Sequence, residues 1–384
     1  IKSKEFQDLE QIIKEQVDLD TEWAELQNDP EPNSFSENLF SDNININFSN
    51  ESDIHQIEND KCVMVDAINH ALSEELDENK KMILFGQDIA GGKGGVFTAT
   101  RGLTEKFGSD RVFNSPLAES SIIGTAIGMA TLGYKPVVEI QFGDYIWTAM
   151  MQIRNELATL RYRSNGDWYC PLVVRVPVGG YIHGSLCHSQ SIDGYFAHLP
   201  GVYIAYPSNA ADAKALLKTA CRMDDPVLFL EHKGLYRQNY ASANEPDTNT
   251  FLEFGKGRYI SHGNDITIIT WGAIVQKSLE AVKELGVSAD IIDLRTLYPL
   301  DMDIIKESVS KTNRIVIAHE DNLTNGFGGE ISAQISEHLF EFLDAPILRV
   351  ASKDFPIAYS SALEENILVQ TNWIKDAINK TINF

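Results

Sequence analysis

The chain has 384 residues, of which 43% are apolar and 23% charged, and a net charge of −23. That length holds two to three domains with sizeable cores, and the charge makes nucleic acid and anionic membrane surfaces poor partners and a basic protein surface a better one. Cys62, Cys170, Cys187 and Cys221 are scattered without a CxxC pair, which speaks against a zinc site, an iron–sulfur cluster or a disulfide framework and for a reducing compartment.

No apolar run approaches the roughly 18 residues of a membrane span. The chain starts at Ile1 rather than Met, so a native N-terminus further upstream is expected. Residues 1–26 have helical periodicity, with Phe6, Leu9, Ile12, Ile13 and Val17 along one face. Asp29-Pro30-Glu31-Pro32 ends that helix. Residues 33–60, rich in Ser, Asn and acids, predict a flexible or extended linker.

From residue 62 onward helix and strand patterns alternate. Met64–Leu76 reads as a helix and Met82–Phe85 as a strand. Gly91–Gly95 is a loop that lacks the GK[ST]-then-helix context of a phosphate-binding loop. Arg111–Asn114 predicts a short strand. The small and apolar run that follows Ser115-Pro116 carries Glu119 at its head, with Gly124 and Gly128 on one helix face. Val137–Gln141 reads as a buried strand delivering Phe142 and Tyr145. An acid, a close-packing helix and two aromatic rings suit a flat cofactor. Glu119 also reads as a first-turn acid complementing the helix dipole, and Phe142 as ordinary core. Asp144–Arg163 predicts one long helix with Met151, Leu157 and Leu160 in the core. Leu172–Val178, Val202–Tyr206 and Val227–Glu231 are β-branched runs suited to buried parallel strands, and Ala210–Arg222 lies helical between the last two.

Asn244–Thr250 is a polar break and the predicted domain boundary. Beyond it come strand Ile266–Thr270, helix Ala273–Leu285 with Gly286 as its cap, strand Ile291–Leu294 and helix Met302–Ser310. Strand Arg314–Ala318, helix Glu330–Leu343 and strand Ile347–Val350 follow. The expected organisation is a 1–60 helix and acidic linker, a 61–245 α/β domain and a 246–384 α/β domain, both doubly wound with mainly parallel sheets.

The motifs SPLAESSIIG, VEIQFGDY, RYRSNGDW, HGSLCHSQS, FAHLPG, DPVLFLEHKGLYR, IIDLRTLYPLD and HEDNLTNGFGGEI carry a resemblance. Over residues 62–384 the chain resembles the beta subunit of the thiamine-diphosphate-dependent decarboxylating component of 2-oxo acid dehydrogenase complexes. That resemblance implies a transketolase-like pyrimidine-binding domain and a transketolase C-terminal-like domain. It further implies oxidative decarboxylation of a 2-oxo acid with acyl transfer to a lipoyl group. HGSLCHSQS and EHKGLYR resemble the branched-chain type more than the pyruvate type. A non-catalytic assembly subunit is the rival reading.

The resemblance assigns Glu119 to the aminopyrimidine of thiamine diphosphate, Phe142 and Tyr145 to packing around it, and His188 to the substrate and the acyl transfer. A carboxyl group in an apolar pocket is expected to have a raised pKa and to donate its proton. His183 is a weaker candidate, and His198 reads as structural. A potassium ion is implied at Leu172, Ala220, Cys221, Met223 and Asp225, held mostly by backbone oxygens. Magnesium and the diphosphate normally need a Gly-Asp-Gly segment. Neither Gly143-Asp144-Tyr145 nor Gly166-Asp167-Trp168 matches it, so that half of the site is expected on an alpha subunit. VDLDTEWAELQNDPEP resembles the C-terminal helix of such a subunit, and a fused alpha region is the reading it suggests. A dimer of alpha–beta units, a lipoyl acyltransferase core as partner, and a cytoplasmic or mitochondrial-matrix location complete these expectations.

Overall fold

The computed structural model describes residues 4–42, 45–50, 54 and 60–384. Residues up to Glu37 form one unit and Asn38–Phe384 a second. The first unit is the predicted helix, Lys4–Glu25, followed by a single 3-10 turn at Pro32–Ser36. Its apolar stripe is where the periodicity puts it, yet Phe6, Leu9, Ile12, Ile13 and Val17 are all exposed.

Among the described residues the second unit contains three sheets. In chain order its strands are β1 (Lys61–Cys62), β2 (Met82–Gly86), β3 (Val112–Asn114), β4 (Lys135–Glu139), β5 (Val173–Val178), β6 (Tyr203–Ala205) and β7 (Val227–His232). Then come β8 (Ala243–Asn244), β9 (Arg258–Ser261), β10 (Ile266–Thr270), β11 (Ala289–Asp293), β12 (Thr296–Tyr298), β13 (Ile315–Asn322) and β14 (Leu348–Ser352). The larger sheet runs β12-β6-β7-β5-β4-β2-β3 and the other main sheet β14-β13-β10-β11-β9, while β1 and β8 form a small ribbon. Only β12 and β9 are antiparallel to their neighbours in the main sheets. A mainly parallel sheet is covered on both faces, which is why every residue of β5 and β7 is buried. One of those buried residues is Arg175. It pairs with Glu139 of β4 at 2.8 Å and with Glu231 of β7 at 2.7 Å, so the charge is compensated by two neighbouring strands.

The helix Ala210–Arg222 is capped by Asn209, whose side chain accepts the Asp212 N–H at 3.0 Å. The helix Ile274–Leu285 buries Val275 and Val282 and ends on Gly286 at φ +68°, as its pattern predicts.

Several elements differ from the sequence reading. Asp144–Arg163 is not one α-helix but a 3-10 turn Gly143–Ala149, a π turn Gln152–Leu157 and a short helix Leu160–Arg163. Ser120 donates its hydroxyl hydrogen bond to the Thr148 carbonyl, which takes that carbonyl out of a regular ladder. The Ala158 N–H closes the wider turn on Ile153 at 2.9 Å. Leu157 and Leu160 are buried as expected, but Met151 is 67% exposed. The predicted helix Glu330–Leu343 stops at His338 and gives way to a 3-10 turn Phe340–Phe342. Strands β9 and β12 have no counterpart in the sequence reading. Thr296 of β12 stands opposite Ala205 of β6, so the larger sheet takes an edge strand from beyond the polar break at 244–250.

The expected linker also differs. Its residues 43–44, 51–53 and 55–59 lie outside the described residues. Of the others, residues 33–36 lie in the 3-10 turn and 45–50 have no regular structure, and the segment is anchored at Phe40, Ser41 and Ser49. Phe40 packs on Tyr203 with ring centroids 4.4 Å apart. Ser41 N–H reaches Asp225 at 2.9 Å, and Ser49 N–H reaches the Phe251 carbonyl at 2.9 Å.

Candidate active site

The site grows from one helix start and one irregular turn. Glu119 is the first residue of the helix Glu119–Thr131 and is 8% exposed. Gln87, one residue beyond β2, donates from Nε2 to Glu119 Oε1 at 3.0 Å. Thr148, on the 3-10 turn Gly143–Ala149, donates from Oγ1 to Oε2 at 2.9 Å. Burial raises the Glu119 carboxyl, but the hydrogen bonds from Gln87, its own backbone N–H and Thr148 outweigh it. The net result is a pKa below the usual glutamate value. This corrects the sequence expectation of a raised pKa. Glu119 is held as an ionised acceptor, because each oxygen already faces a donor that favours the charged form.

The same turn carries Tyr145, and Phe142 precedes it. Their rings meet edge to face at 5.4 Å, and Phe142 meets the His188 ring in the same way at 4.5 Å. Tyr145 Oη lies 2.8 Å from His188 Nε2, and His188 Nδ1 lies 3.2 Å from the Gly184 carbonyl. A carbonyl only accepts, so Nδ1 carries the hydrogen, and in the neutral ring Nε2 accepts from the tyrosine hydroxyl. Burial raises the Tyr145 phenol, which keeps that proton in place. The structure thus brings Phe142, Tyr145 and His188 into one cluster, and Thr148 ties it to Glu119.

The loop that delivers His188 is conformationally unusual. Gly179, Tyr181, His183 and Ser185 all have positive φ. Three of these are not glycine, and such strain persists where surrounding structure imposes it. His183 Nδ1 pairs with Glu364 at 2.8 Å, so it anchors the loop instead of joining the cluster. His198 is exposed. Gly124 is tight against Gln152, while a side chain at Gly128 would meet open space.

Lys233 and the hydrogen-bond donors Gln87 and Thr148 escaped sequence reasoning. Lys233 lies in the quoted motif EHKGLYR, and Gln87 follows a strand end, where ligands of parallel sheets gather. The Lys233 Nζ stands 5.5 Å over the Phe142 ring and has no hydrogen-bond partner among the described residues. Burial pulls its pKa down to about 7, against the opposing pull of Asp144 and Glu320. Burial raises Asp144 in turn.

The residues predicted to hold potassium do not fit that ion. The Ala220 and Met223 carbonyls accept from Lys135 Nζ at 2.9 and 2.8 Å. The Leu172 carbonyl takes the Val227 N–H at 2.9 Å. Asp225 is occupied by Arg161 at 3.0 Å and by the Ser41 N–H. Burial pushes the Cys221 thiol up to about 12, which leaves it a neutral thiol. Among the described residues no three His, Cys, Asp or Glu side chains cluster as a metal site requires, and no helix is long and apolar enough to cross a membrane.

Two family models match the chain: the transketolase pyrimidine-binding domain over residues 60–239 and the transketolase C-terminal domain over residues 255–374. The 2-oxoisovalerate dehydrogenase subunit beta of Bacillus subtilis is 45% identical over 83% of this chain and 98% of its own length. The chain belongs to the beta subunits of 2-oxo acid dehydrogenases. The pyruvate dehydrogenase E1 component subunit beta of the same bacterium is 42% identical over 79% of this chain and 93% of its own length. A mitochondrial 2-oxoisovalerate dehydrogenase subunit beta of Dictyostelium discoideum is 45% identical over 78% of this chain and 81% of its own. A solved structure described as a split gene transketolase, an inactive beta4 tetramer, superposes with a TM-score of 0.67 at 24% identity. It covers 84% of this chain and 98% of that one, and this likeness establishes the transketolase-like fold. The motif resemblance and both α/β sheets therefore stand, and the chain is a component of an oxidoreductase complex.

Proposed function

We propose that this chain is the beta half of an enzyme that decarboxylates a branched-chain 2-oxo acid of the 3-methyl-2-oxobutanoate type on thiamine diphosphate. The acyl group then passes to a lipoyl arm. The observation that carries this reading is the pairing of a buried Glu119, hydrogen-bonded at both carboxylate oxygens, with the Phe142–Tyr145–His188 cluster.

These residues fit the cofactor's pyrimidine. Glu119 offers a buried anionic acceptor to a ring nitrogen, and Phe142 and Tyr145 offer aromatic faces and edges. Gln87 Oε1 is a buried acceptor with no partner among the described residues, suited to an amino group. When bound, the cofactor supplies a nucleophilic carbon. Glu119 would hold the pyrimidine through a ring nitrogen and would favour its protonated form, because a carboxylate stabilises a positive neighbour. Tyr145 holds His188 in the tautomer whose Nε2 accepts, and that nitrogen can exchange a proton with the substrate or the acyl group. The magnesium and diphosphate side is assigned to an alpha half, and a dimer of alpha–beta units with a lipoyl acyltransferase partner follows from that division. Cytoplasm or mitochondrial matrix suits such a complex.

Support for the branched-chain substrate comes from the 2-oxoisovalerate relatives at 45% identity, beside 42% for pyruvate dehydrogenase. The test is a substrate panel on the enzyme reconstituted with its alpha half. A higher kcat/KM for 3-methyl-2-oxobutanoate than for pyruvate is expected, and the reverse order overturns the substrate. In the same preparation Glu119→Gln should slow hydrogen–deuterium exchange at the cofactor's reactive carbon about 10²–10⁴-fold. His188→Ala should leave exchange intact and depress turnover to lipoamide. Equal loss of exchange in both variants would refute the division of roles, and undiminished decarboxylation in Glu119→Gln would favour a non-catalytic assembly subunit.

A further inference from the structure

Lys135 opens β4 and is 5% exposed. Its ammonium reaches the last turn of the helix Ala210–Arg222, donating to Ala220 O at 2.9 Å and to Met223 O at 2.8 Å. The final carbonyls of a helix have no partner within it and carry the negative end of its dipole. Burying them without a donor costs free energy, and here a lysine supplies it. The surroundings are those of a cation site. Asp224 and Asp225 follow Met223 directly in the chain.

The other candidate ligands are committed. The Leu172 carbonyl receives the Val227 N–H, and the Asp225 carboxylate is taken by Arg161 and Ser41. The turn therefore presents two free carbonyls to one position, and Nζ occupies it. A tethered cation is present at fixed stoichiometry, whereas a free ion stabilises only in proportion to its concentration over its dissociation constant.

We propose that Lys135 is a built-in cation: its ammonium closes the Ala220–Asp225 turn in place of a monovalent metal ion and makes this turn independent of potassium. The assignment rests on geometry alone and stands whichever 2-oxo acid the enzyme uses.

Crystals of the full chain with its alpha half, soaked in thallium(I) as a potassium mimic, read the position directly through anomalous density. The native enzyme should show none between Ala220 and Met223. A thallium peak there overturns the proposal, whatever binds elsewhere in the complex. Melting in potassium, sodium and choline chlorides at equal ionic strength supplies the second readout. Lys135→Met keeps most of the stem but removes the donor from two buried carbonyls. Its melting temperature should fall by about 4 °C or more, with part of the loss recovered in potassium but not in choline. A variant that melts with the native enzyme in every salt also overturns the proposal. Should Lys135→Met not fold, the thallium measurement on the native enzyme still decides.

Discussion

Glu119 lies between two donors, Gln87 and Thr148, that come from different parts of the chain and address different carboxylate oxygens. Either one alone leaves an oxygen exposed to the cost of burial, so the pair keeps the group ionised. Thr148→Val removes one donor with little change of volume. The Glu119 pKa should then rise, and the acid limb of the kcat/KM profile should move to higher pH. An unmoved acid limb would mean that Thr148 does not tune the carboxylate. Sequence reasoning reached Glu119, Phe142, Tyr145 and His188 because each sits inside a recognisable motif. Gln87 is 32 residues from Glu119, and Lys135 is 85 from Ala220. Contacts at such separation leave no local pattern, and a lysine at a strand start reads as solvated.

Elements reproduce the sequence pattern where one face decides the structure. The helix Ile274–Leu285 and the all-buried β5 and β7 are of this kind. The pattern fails over residues 143–163, where tertiary hydrogen bonds compete with the helix ladder and the apolar spacing survives in a different backbone. Positive-φ glycines give a second contrast at this scale. Gly286 caps a helix at φ +68° with nothing near a would-be side chain. Gly179, at φ +83° in the loop leading to His188, has His232 in the way and Glu320 Oε1 at 3.0 Å. Those two residues form a buried pair. Gly286→Ala should cost about 1–2 kcal/mol of unfolding free energy. Gly179→Ala adds a steric clash and should cost more than about 3 kcal/mol. Urea unfolding of both variants checks this, and equal costs would mean that the His232–Glu320 pair yields freely.

Across the whole molecule a net charge of −23 coexists with cations sealed inside. Lys233, at about 7 in the folded chain, is well below its ordinary value of 10.5. The unfolded chain therefore binds the proton more tightly, and stability from this group rises as pH climbs from about 7 towards 10.5. The destabilisation is fully present below 7 and relieved above 10.5. Between pH 7 and 9 the native protein should gain stability, and Lys233→Met should reduce that slope. A slope unchanged by the substitution would show that Lys233 keeps an ordinary pKa.

The pairing of β12 with β6 also fixes an order of events. Thr296 stands opposite Ala205, a separation of 296 − 205 = 91 residues. On the ribosome the larger sheet has every other strand long before the one that covers its β6 edge. At ordinary translation rates the 91 residues between those partners take on the order of 5–20 s. Until then the nascent chain presents an unpaired strand edge, and the edge closes only after β9, β10 and β11 of the second sheet have been made.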